Sequence, residues 1–219
     1  MSDNIKSAFV RSFVFPVIAA VIIVAAFRVW RPERFSQSQN VNPELQTLPV
    51  FGKVPDFALI QANGKPFTNA DLRGKVWIAD FIFTHCSGVC PLMSAKMSAL
   101  THEFEKNPGM RFVSFSVDPE HDTPEILAKY AERFKAPPDR WFFLTGDKEQ
   151  IFKLSIQHFH LGVEDISPEE REALDQSVRH SAKVVLVDRQ GQIRGYYDTD
   201  EQSNSTKLIN DARLLLEGE

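Results

Sequence analysis

The chain has two cysteines, Cys86 and Cys90, three residues apart, with Pro91 directly after the second. Two thiols within one helical turn can face the same way. Such a pair can close and reopen a disulfide with a partner's dithiol, or it can hold one soft metal ion. A bland role as two small buried apolar side chains fits scattered cysteines better than an isolated pair beside a helix-starting proline. A structural zinc ion takes four ligands, so two thiols fall short of one, whereas Cu(I) is satisfied by two thiolates and one further donor. The spacing of three, in place of the two of Cys-x-x-Cys oxidoreductases, weakens a purely redox reading without removing it.

A third donor would come from the six histidines. His102 and His121 fall on helix and turn surfaces. His158 and His160 lie near a helix end with no strand to aim them. His85 adjoins Cys86, and strand alternation points it to the other face. His180 opens a strand directly after an irregular segment, so a loop can bring it to the mouth of the dithiol. The residues alone leave the choice open.

The elements that must position these groups are legible. Lys75–Phe83 (KVWIADFIF) is nearly all apolar, as for a central strand buried on both faces. Asp80 is its odd member and is expected to be a satisfied structural acid. A helix should begin at Val89–Pro91 and run to about Phe104, because proline is at home in a first turn. Cys86 then ends a buried strand and Cys90 starts the next helix, where open α/β sheets place ligands and where N–H groups lower a thiol's pKa.

Around this core, Asp56–Ile60 and the turn Ala62–Lys65 read as a hairpin arm, and Met110–Val117 as a strand. Thr123 as N-cap and Pro124 as first residue open a helix to about Phe134. Trp141–Leu144 is a strand and Asp147–His158 a helix, while 161–179 is an acidic, irregular insertion. Ala182–Asp188 and Gln192–Tyr197 are strands, and a final helix spans Ser203–Leu216. Asp118, at a strand end, is expected to cap the Pro119–Thr123 turn. The order predicts an α/β fold, a mixed sheet flanked by helices.

Charge divides the chain. Residues 1–34 carry five Lys/Arg against two Asp/Glu, and the rest carries 20 against 27. An acidic body offers no basic stripe for phosphates, which argues against nucleic acid as partner. Phe13–Phe27 is an unbroken apolar run, and 8–30 is long enough to cross a bilayer, which needs about 20 residues. The division is a tail (1–12), a transmembrane anchor or cleaved signal peptide (8–30), a polar linker (31–50) and one domain (51–219). Charges flank the run almost evenly, so the positive-inside rule leaves its orientation open.

Phe83-Thr84-His85-Cys86-Ser87-Gly88-Val89-Cys90-Pro91, Ser116-Val117-Asp118-Pro119-Glu120-His121-Asp122-Thr123-Pro124-Glu125 and His180-Ser181 together resemble the Sco/SenC family of membrane-anchored copper proteins. The stretches Val54–Phe57 and Asp71–Val76 resemble it as well, and the likeness covers about residues 50–217. The resemblance implies a thioredoxin-like fold and a copper ion, Cu(I) or Cu(II), bound by Cys86, Cys90 and His180. It implies delivery of copper to, or reduction of the cysteines of, the binuclear copper site in the copper-bearing subunit of cytochrome c oxidase. Other copper chaperones or thiol reductants would be further partners. It implies a membrane-anchored protein whose domain faces the periplasm, or the intermembrane space of a mitochondrion. A thiol–disulfide oxidoreductase using Cys86 and Cys90 without metal is the alternative. A peroxiredoxin-like peroxidase ranks below both, because Thr84 stands only two residues ahead of Cys86. The chain departs from the family in having Ser87-Gly88 where many members carry an acid between the cysteines, and in placing Arg179 beside His180. Both changes bear on thiolate acidity and copper affinity.

Overall fold

The computed structural model describes residues 48–86, 88–161, 183–198 and 202–218. The tail, the 8–30 apolar span, most of the linker, nearly all of the acidic insertion and His180 lie outside the described residues. Among the described residues no helix is long and apolar enough to cross a membrane.

Chain order gives β1 (Gly52–Lys53), β2 (Ala58–Gln61), β3 (Pro66–Thr68), β4 (Val76–Ile82), α1 (Val89–Glu103), β5 (Met110–Ser116), α2 (Pro124–Arg133), β6 (Trp141–Thr145), α3 (Lys148–Lys153), β7 (Lys183–Val187), β8 (Gln192–Asp198) and α4 (Gln202–Glu217). The strands form one mixed sheet in the order β1-β8-β7-β4-β5-β6-β2-β3. β4, β5 and β6 run parallel at its centre, and β7 lies antiparallel to β4 on the other side. Parallel neighbours need crossovers, and α1 and α2 supply them.

β4 is buried throughout because each face meets a separate core. Val76, Ile78 and Ile82 face Met93, Met97 and Leu100 of α1, together with Leu208 and Leu215 of α4. Trp77, Ala79 and Phe81 face Phe57, Phe115 and Phe159 on the opposite side. The two-residue period of a strand therefore explains an apolar run without alternation. Met93, Met97 and Met110 are all within 1% of full burial.

Two expectations change in detail. The helix expected to reach His158 is α only to Lys153 and continues as a π turn over Leu154–His158. The Phe159 amide donates to Leu154 O at 2.8 Å, five residues back. The extra residue turns Phe159 into the core, against the rings of Trp77, Phe81 and Phe115. Thr123 is the N-cap residue of α2, but its hydroxyl makes no capping bond and instead meets the Glu125 carboxylate.

The parallel register brings the C-terminal ends of β4, β5 and β6 to one pole. The loops carrying Phe83–Cys86, Val117–Thr123 and Gly146–Asp147 meet there. β7, being antiparallel, starts at this same pole.

Candidate functional site

Cys86 lies in the short loop after β4, half-buried, with its amide donating to Phe83 O at 3.3 Å. Cys90 is the second residue of α1 and is 1% exposed. Both are free thiols. The sequence expectation holds for Cys90, in the first turn of a helix; Cys86, expected to end the strand, lies four residues beyond its last residue, in the loop.

The two thiols differ in acidity. Partial burial pushes the Cys86 thiol up, but the amides of Cys90, Gly88 and Val89, with the Cys90 thiol, outweigh it, so its pKa falls below the ordinary value. These are the unpaired N–H groups of a helix start, aimed at sulfur. Burial pushes Cys90 up to about 12, with Cys86 and Asp80 adding to the rise. The arrangement gives one accessible, thiolate-forming sulfur backed by a buried partner that keeps its proton.

The loop holding Cys86 is fastened to an acid that sequence reasoning missed. Asp122 is fully buried. It accepts from the Thr84 amide at 3.1 Å and the Thr84 hydroxyl at 2.5 Å. It also accepts from Ser116 Oγ at 2.6 Å. The end of β4, the end of β5 and the start of α2 thus converge on one carboxylate. Three hydroxyl- or acid-bearing residues flanking two strand ends were the available signal.

Asp118 does not cap its turn through the carboxylate. The turn is closed by its carbonyl, which accepts from the amides of His121 and Asp122. The carboxylate lies 3.0 Å from His121 Nδ1 and 3.6 Å from His85 Nδ1. The His85 and His121 rings meet edge to face at 5.5 Å. His85 has left strand geometry by this point, and its ring packs against those of Phe83 and His121 beside the dithiol. The hydrogen bond to Asp118 raises the His121 pKa. An NMR titration should find that imidazole above the ordinary range, and Asp118→Asn should return it toward that range. Among the described residues no three metal-ligating side chains converge on one point.

Asp80 is only half satisfied, a correction to the expectation. Ser114 Oγ donates to its Oδ1 at 2.6 Å and in turn accepts from Trp141 Nε1 at 2.9 Å. Oδ2 has no hydrogen-bond partner. Burial raises the Asp80 pKa to about 7. An acid whose folded pKa exceeds its unfolded value binds an extra proton when folded, so stability falls as pH rises from about 4 to about 7. Asp80→Asn should therefore stabilise the fold at pH 8 by about 1–2 kcal/mol, less than the full linkage value because the amide must also find partners. At pH 4 it should change little. Urea denaturation at both pH values checks this.

The fold and sequence are shared with proteins of known family. The SCO1/SenC family model matches residues 48–217. The SCO1 protein homolog of Bacillus subtilis is 34% identical over 167 residues, covering 75% of this chain and 83% of that protein. The structure of BsSco, a member of the Sco family of cytochrome c oxidase assembly proteins in which a disulfide switch was identified, superposes with a TM-score of 0.65 at 31% identity, over 78% of this chain and 98% of that one. Bradyrhizobium japonicum ScoI with copper bound matches with a TM-score of 0.58 at 25% identity, over 75% and 99%. With its mixed, thioredoxin-like sheet and a family match running almost the whole length of the described body, this chain belongs to the SCO1/SenC family.

Proposed function

We propose that the chain is a membrane-anchored copper protein of cytochrome c oxidase assembly, with Cys86, Cys90 and His180 holding the metal. The observation that carries this reading is the paired free thiols at the sheet's C-terminal pole, in a family with a member crystallised with copper. The donor set fits the cargo, since soft thiolate sulfur favours copper. β7 starts at the dithiol pole, and His180 is three residues ahead of Lys183. Three residues reach at most about 10 Å, so a ligand role for His180 at that pole is within the reach of the chain. Copper carried in this way would be handed to the binuclear site of the oxidase's copper-bearing subunit. The 8–30 span would hold the 51–219 domain at the periplasmic or intermembrane-space face.

The split acidity of the thiols favours a second reading, in which the pair reduces a disulfide in the oxidase subunit. Cys86 thiolate attacks the client disulfide and releases one client thiolate. Cys90 then loses its proton, attacks the mixed disulfide, and leaves Cys86–Cys90 oxidised and the client dithiol reduced.

Copper titration of the reduced protein separates the two. Changing Cys86, Cys90 or His180 singly should each weaken copper binding by at least about a hundredfold, since losing a residue that only orients a ligand already costs about 10–100-fold. If His180→Ala binds copper normally while Cys86→Ser does not, His180 is not a ligand. If that same variant still reduces a disulfide substrate at the full rate, the second reading is the correct one.

A further inference from the structure

Charge on the described body is sorted by pole. The loops and element ends at the dithiol end carry Asp118, Glu120, Asp122, Glu125, Asp147, Glu149 and Asp198 against Lys148 and Lys183. At the other end, where β4, β5 and β6 begin and β7 turns into β8, the balance reverses. With the ends of α1, α2 and α4 included, Lys53, Arg73, Lys75, Lys106, Arg111, Arg133, Lys135, Arg140, Arg189 and Arg213 stand there against Asp56, Glu103, Glu105, Glu132, Asp139, Asp188 and Glu217. Asp188 is tied to Arg194 at 3.0 Å, and Asp56 accepts from Asn69 at 2.7 Å.

Lys53, Arg73 and Arg189 line one cleft of about 130 Å³, floored by Leu72 and Trp77. Beside it two large apolar side chains face solvent, Val50 at 57% and Phe51 at 51% exposure. Phe51 stands edge-on to Tyr196 at 5.3 Å, so its ring is held outward from a fixed support. Exposed apolar side chains next to cations make an amphipathic surface, the kind that binds an interface with apolar depth and negative charge.

We propose that this pole docks on a bilayer surface containing anionic phospholipid. Val50 and Phe51 would enter the headgroup layer, and the exposed Lys53 and Arg73 would meet lipid phosphates. The inference rests on the reading of 8–30 as an anchor. Leu48 and Pro49, directly before Val50 in the chain, are fixed to the body by Arg194, whose guanidinium donates to both carbonyls. A body tethered to the same bilayer meets its surface at a high effective concentration, so weak contacts suffice. Each Lys or Arg near an anionic surface is worth about fivefold in binding. The acidic dithiol end would be repelled by the same surface, and the two effects together orient the body. The cations stand by the start of β4 and Phe51 stands level with its middle, so docking would turn the dithiol end of β4 away from the lipid.

The test uses the full chain in nanodiscs of phosphatidylcholine, with and without one-third phosphatidylglycerol. Amine labelling read by mass spectrometry compares Lys53 with Lys148 at the opposite pole. Lys53 should label at least about fivefold more slowly in the anionic discs, and Lys148 should not change. High salt, which screens exposed charge, should remove the protection. Arg73→Glu and Phe51→Ser should each reduce it without altering Lys148. Equal Lys53 rates in the two lipids would overturn docking while leaving the anchor intact. A chain that stays with neither disc would overturn both readings. Protection in neutral discs that grows with the number of chains per disc would assign the face to a second copy and also overturn the proposal.

Discussion

Brief alkylation of the reduced native protein near pH 7 should modify Cys86 about a hundredfold faster than Cys90, and unfolding should erase the preference. Cys90, pushed up to about 12 by burial, has roughly one sulfur in 100,000 ionised at pH 7. Cys86 lies below the ordinary 9.0, so at least about one in a hundred of its thiols is thiolate. The higher intrinsic nucleophilicity of the more basic thiolate returns part of that difference, since reactivity rises with about 0.4–0.5 of the pKa. The 1% exposure of Cys90 adds a steric penalty that restores it. Peptide mapping after timed quenching measures both rates. Equal rates, or Cys90 reacting first, would remove the division of roles on which the disulfide-exchange reading depends.

Asp122→Ala should cost about 3–5 kcal/mol of stability, because it strands three buried or half-buried donors at once. The Thr84 amide, the Thr84 hydroxyl and the Ser116 hydroxyl all end on this carboxylate. Asp122→Asn keeps acceptor oxygen for part of the set and should cost about half as much. The same substitution should reach the site, because Thr84 is two residues from Cys86. Once it is released, the helix-start amides no longer face a fixed sulfur, and the labelling preference for Cys86 should shrink. Urea unfolding and the alkylation ratio measure the two consequences separately. A loss under 1 kcal/mol would mean that water replaces the carboxylate and that the loop is held elsewhere.

The sequence was readable where structure is local. β4 announced itself because a strand with a core on each face has no polar positions to alternate, and Pro91 marked the start of α1 within two residues. The dithiol was legible for the same reason, since five consecutive residues contain both sulfurs. Asp122 was not legible as a hub, because its role exists only when residues 84, 116 and 122 are brought together by the parallel register of β4 and β5. The π turn at Leu154–His158 depends on where Phe159 lands in the core, which no local propensity encodes. Asp80 was expected to be satisfied, and Ser114, its cross-strand neighbour, supplies one partner. What the sequence could not reveal is that the second oxygen has no hydrogen-bond partner.

The burial of Met93, Met97 and Met110 decides where peroxide would strike the described body. Thioethers with 0–1% exposure are shielded from a dissolved oxidant, so damage falls first on Cys86. Its thiolate displaces water from hydrogen peroxide and becomes a sulfenic acid. The Cys90 thiol, four residues on, condenses with that sulfenic acid and releases a second water, leaving a disulfide that a thiol reductant can reopen. Oxidative injury would therefore end in a reversible Cys86–Cys90 bond and spare the thioethers of the core.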